Sequence, residues 1–122
     1  MPSDEFQIFV ADQLAELKGL CMKRMFGAVG LYLDGVFFGI LDEGRLFFKT
    51  SESTRKKYVA AGCGPFTYEK KGRGGSAAQT VALKSYYEVP LDVLEKRSEL
   101  VRWAYDAVKS AETGAVGKSS RS

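Results

Sequence analysis

Lys70, Lys71 and Arg73 share one glycine-rich stretch, Lys70-Lys71-Gly72-Arg73-Gly74-Gly75-Ser76. Three cations on a backbone with little side-chain bulk can approach a phosphate chain closely, presenting point charges and free amides together. The same composition also describes a solvated hairpin tip. Arg55-Lys56-Lys57 is a second cationic run, placed early in a predicted helix where positive charge opposes the helix dipole. Its two readings are an anionic partner and a solvated helical face. Gly117-Lys118-Ser119 ends like the phosphate loop G-x-x-x-x-G-K-[ST], but Glu112 stands at the position of the first glycine. Without a strand before it and a helix after it to aim backbone amides, it is not assigned a nucleotide.

Acid-base and metal chemistry find little to work with. The chain has no histidine, the commonest general base near neutral pH and the commonest metal ligand. Its two cysteines, Cys21 and Cys63, form no C-x-x-C and are expected to be buried, reduced thiols. Asp42-Glu43 reads as a turn, and Asp92 with Glu95 as helix-start residues. No nucleophile, base and orienting group are recognisable together, so neither an enzyme nor a bound cofactor or metal is expected.

Aromatic residues are plentiful, with Phe37-Phe38, Phe47-Phe48 and Tyr86-Tyr87 in adjacent pairs. On alternate strand positions they can stack against single-stranded bases or fill a core. In Lys23-Arg24-Met25-Phe26-Gly27, an arginine flanked by apolar strand residues suits a carboxylate or a backbone carbonyl. Arg24 and Phe26 are therefore candidate partner contacts beside Lys70, Lys71, Arg73, Tyr86 and Tyr87.

The elements that must position these residues follow from patterning. At 122 residues, 45% hydrophobic and 27% charged, the chain suits one packed domain. The formal charge is +3, but Lys118 and Arg121 fall in the tail, and of the 18 Lys and Arg residues the 16 that remain nearly balance the 15 Asp and Glu. Ser3 can cap a helix with Phe6, Phe9, Val10, Leu14 and Leu17 on one face, ended by Gly19. Cys21 to Thr50 reads as a β-meander broken at Gly27, at Asp34-Gly35 and at Asp42-Glu43-Gly44, with Asp34-Gly35 the clearest two-residue hairpin turn. The consecutive apolar residues from Val36 to Leu41 and from Leu46 to Phe48 predict strands covered on both faces.

Ser51 opens a second helix through Ala61, stopped by Gly62. Phe66 to Glu69 and Thr80 to Val89 are strands, the second ended by Pro90. Ser98 caps a last helix bearing Leu100, Val101, Ala104, Ala107, Val108 and Ala111. The expected fold is α+β: a two-layer, mainly antiparallel five-stranded sheet with helices, in the order α-β-β-β-α-β-β-α. The domain is expected over residues 3–112, with 113–122 a disordered tail.

The ordered series Arg24-Met25-Phe26-Gly27, Asp34-Gly35, Pro65-Phe66 and Tyr86-Tyr87-Glu88-Val89-Pro90, with the helix around Leu100 to Trp103, resembles the N-terminal domain of the TfoX/Sxy competence regulators. The resemblance runs from about Phe6 to Ala111 and implies the same topology, in a bacterial cytoplasmic regulator without established catalytic residues. It also implies transcriptional co-activation of DNA-uptake genes beside a cyclic-AMP receptor protein, a role of relatives that add a C-terminal helical domain. The expectation is a non-enzymatic co-regulator that binds a transcription activator or a polymerase component, with a homodimer formed through a sheet edge or an aromatic face. The alternative is direct nucleic-acid binding through residues 70–73, which would weaken steeply with salt. No apolar run is long enough to span a membrane and the first residues are acidic, so a cytoplasmic location is expected.

Overall fold

The structure is a computed structural model that describes the backbone of residues 2–25, 28–70 and 79–121, and the side chains of 5–24, 28–67 and 83–112. The chain runs through α1 (Pro2–Gln13), β1 (Leu20–Met25), β2 (Ala28–Leu33), β3 (Val36–Asp42), β4 (Arg45–Lys49), α2 (Glu52–Ala60), β5 (Pro65–Lys70), β6 (Gln79–Glu88), α3 (Leu91–Leu94) and α4 (Arg97–Arg121). The strands form one antiparallel sheet in the order β1-β2-β3-β4-β6-β5. The α+β class is as expected, with six strands in place of five. The meander that starts at Cys21 is cut by its three breaks into four strands, one more than the three in the expected order.

Local chemistry accounts for the turns. Asp34 and Gly35 have φ of 51° and 83°, and Leu33 pairs with Val36, so this is a two-residue hairpin with positive φ at both central positions. Glu43 and Gly44 repeat the geometry between Asp42 and Arg45. In α2 the Ser51 hydroxyl accepts from the Thr54 amide while the Thr54 hydroxyl accepts from the Ser51 amide, a reciprocal cap. At the other end Gly62, at φ 83°, donates to the Val59 carbonyl and Cys63 donates to the Tyr58 carbonyl, the paired bonds of a Schellman stop. Two predicted caps shift, since Ser3 and Ser98 fall inside α1 and α4. Helix α1 also ends at Gln13, although the apolar spacing continues into buried Leu14 and Leu17.

All four helices lie against one face of the sheet. Val10, Leu14 and Leu17 from the first segment, Tyr58 of α2, Val93 and Leu94 of α3, and Leu100, Val101, Ala104, Ala107 and Val108 of α4 pack on Leu31, Leu33, Phe38, Leu41, Leu46, Phe48 and Val89. Core residues of α4 thus fall between Leu100 and Ala111. The side chains of 113–122, the expected disordered tail, lie outside the described residues.

The opposite face holds a second, smaller core of Ala28, Ile40, Phe47, Phe66 and Tyr86, with Phe37 and Leu83 packed beside it. A bulge divides the apolar run of β3 between the two. Tyr32 pairs with Phe37 and Leu31 with Gly39, leaving Phe38 as the extra residue. Phe38 and Leu41 consequently join the helix side, and Phe37 and Ile40 the other. Both faces of these strands are therefore covered, as their consecutive apolar residues predict.

Candidate functional site

The candidate residues do not converge on one place. Phe26, Lys71 and Arg73 lie outside the described residues, and Lys70 is described only as the last backbone position of β5. Arg24 is exposed on β1, at the opposite end of the sheet from β5. Tyr86 is buried on the second face, and half-buried Tyr87 faces the helices.

Two residues of the cationic run in α2 are tied into the fold. Arg55 Nε donates to the Thr50 hydroxyl at 3.2 Å and its guanidinium lies 5.9 Å from the centroid of the Tyr87 ring. Lys57 Nζ donates to Asp106 Oδ2 at 2.8 Å and sits 4.3 Å over the Trp103 ring. Lys56 between them is exposed. The solvated and structural reading accounts for this run.

On the second face, alternation and hairpin register bring rings and cations into a line. Tyr32 stands opposite Phe37 across the Asp34-Gly35 hairpin, ring centroids 5.2 Å apart, and Phe37 meets Tyr86 at 5.3 Å. Lys23 Nζ lies 5.2 Å over Tyr32 at one end, and Lys49 Nζ lies 5.4 Å over Tyr86 at the other. Beside this line Phe47 packs edge-on to Phe66 at 4.9 Å, with the Arg45 guanidinium 5.2 Å from the Phe47 centroid. Tyr32 and Phe37 are half-buried, which leaves part of each ring open to a partner. Tyr32 and Lys23 escape a reading by residue type, although the two-residue turn already implies the Tyr32–Phe37 pair.

The titratable groups reflect burial. Burial, then the neighbouring Tyr32, pushes the Tyr86 hydroxyl up to about 12. Burial raises Tyr58 further, helped by Asp106 and Cys63. Burial and then Glu88 raise the half-buried Cys63 thiol. Cys21, expected to be buried, is exposed, because it projects from β1 on the face away from the helices. Burial also raises Asp42, reinforced by Glu43 and opposed by Arg45. Among the described residues, no three His, Cys, Asp or Glu side chains group closely enough to hold a metal ion, and no helix is long and apolar enough to cross a membrane.

No curated protein matches the chain. The family of TfoX N-terminal domains matches it over residues 12–111, which spans the elements from the last turn of α1 to the core-bearing part of α4. The chain belongs to the TfoX N-terminal domain family.

Proposed function

We propose that this domain is a non-enzymatic regulator of the competence-regulator type, working in the cytoplasm by holding another protein against its sheet. The partner class is a transcription activator or a polymerase component. The observation that carries the reading is the line of half-buried Tyr32 and Phe37 flanked by Lys23 and Lys49, since aromatic rings with cations at the margin are typical of protein-binding patches. Membership of a regulatory family supports the same reading.

The test is affinity capture from lysate of the source cell, with and without nuclease, read by mass spectrometry. The double variant Tyr32→Ser with Phe37→Ser runs in parallel after a melt confirms that it folds. Capture of an activator or polymerase subunit by the wild type regardless of nuclease, and its loss in the variant, is the expected result. Loss of every partner on nuclease treatment defeats the reading in favour of direct nucleic-acid binding.

A further inference from the structure

Strand β1 pairs with β2 on one side and forms one end of the sheet. Its six residues run in unbroken register from Leu20 opposite Leu33 to Met25 opposite Ala28, with neither a bulge nor a proline to blunt the edge. Cys21, Lys23 and Arg24 are exposed along it. Alternation sends Lys23 to the Tyr32 face and Arg24, with Leu20 and Met22, toward the helix face. The edge thus carries a cation on each side. Strands β1 and β2 contain no carboxylate, and among the described residues neither Lys23 nor Arg24 forms an ion pair.

We infer that the open edge of β1 accepts an extended acidic segment of a partner protein as an added strand, an inference that rests on the protein-binding reading above. Main-chain hydrogen bonds to the edge supply attachment, and the side-chain positions supply choice. Two adjacent carboxylates on the incoming strand point to opposite faces, so one meets Lys23 and the other Arg24. Apolar β-formers flanking them lie beside Leu20 and Met22. A second copy of this chain is the wrong occupant, because antiparallel pairing of β1 with itself crowds two lysines and two arginines into one short ladder.

The probe is the peptide acetyl-Thr-Val-Glu-Glu-Val-Thr-amide, with Lys-Lys replacing Glu-Glu in the control. Each is titrated into the full 15N-labelled chain while backbone amide shifts and exchange rates are followed. The acidic peptide is expected to slow amide exchange within residues 20–25 and to bind at least about tenfold tighter than the control, a gap that narrows with salt. In the exposed double variant Lys23→Glu with Arg24→Glu, the preference inverts. Equal binding of the two peptides, perturbations centred away from β1, or no binding at millimolar peptide overturns the inference. Lysate capture with Arg24→Glu alone, which leaves the Tyr32–Phe37 patch and Lys23 intact, separates the two proposals. If it retains the wild-type partners, only the edge assignment fails; if the wild type captures no protein, the protein-binding reading fails.

Discussion

Thr50 gives both of its donors to one acceptor: its amide and its hydroxyl reach the Ser85 carbonyl at 2.7 and 2.9 Å. Thr50 is buried just beyond β4, where the chain leaves the sheet for α2, and Ser85 belongs to the strand that pairs with β4. Arg55 in turn donates to the Thr50 oxygen. Thr50→Val keeps the shape but removes the hydroxyl, leaving Arg55 without that acceptor. A loss of about 1–2 kcal/mol in urea unfolding is expected, with Thr50→Ser recovering most of it. Equal midpoints for wild type and Thr50→Val would show that the hydroxyl contributes nothing.

Gly39 lies where two strands and a ring close in. A Cβ there would sit 2.8 Å from Leu31 Cδ1, 3.0 Å from the Phe47 carbonyl oxygen and 3.2 Å from Phe48 Cδ1. The backbone oxygen cannot swing aside as a side chain can. Gly39→Ala should therefore lower stability by about 1–3 kcal/mol despite adding one methyl group. A thermal midpoint at or above that of the wild type would contradict the close packing.

Alkali should unfold the protein through its buried phenols. Tyr86, raised to about 12, and Tyr58, raised further, are neutral when protonated and hold that proton more tightly in the folded chain. The raised Cys63 thiol has the same sign. Their stabilisation is fully present below the ordinary thiol and phenol values of 9.0 and 10.0 and is lost as pH rises toward 12 and beyond. Urea midpoints are expected to be level from pH 7 to 9 and to fall through pH 10 and 11. Tyr86→Phe should make that fall shallower. Midpoints unchanged at pH 11 would refute the assignment.

The ion pair of Lys57 with Asp106 has side chains 34% and 39% exposed, so solvent screens it. Lys57→Met is expected to change stability by no more than about 1 kcal/mol. It should nevertheless shift the emission of Trp103, the one tryptophan of the chain, because the ammonium lies 4.3 Å from the ring centroid. An unaltered spectrum would place the lysine away from the indole in solution.

The hairpin at Asp34-Gly35 and the helix bounded by Ser51 and Gly62 were legible because their instructions are local: residues that tolerate positive φ, a hydroxyl cap and a glycine stop. The bulge at Phe38 was not, since it exists only relative to the register of β2. The consecutive apolar residues of β3 correctly implied two covered faces without saying which residue went to which. The exposure of Cys21 is not legible in its residue type, because it follows from β1 standing at the edge of the sheet. At the candidate surface, Tyr86 is singled out by type and neighbours, whereas Lys23 and Tyr32 acquire their significance from a diagonal contact between strands.

The strand order also has a kinetic consequence. Strands β1 to β4 each pair with the next in sequence, so they can zip together through short loops. The seam between β4 and β6 instead closes over α2 and β5, joining Thr50 to Ser85 across 35 positions. Loop entropy must be spent there before any contact returns it, so formation of that seam is the step expected to limit folding speed. Substitutions at Thr50, and within the β2–β3 hairpin that forms before this seam, should slow refolding more than they hasten unfolding.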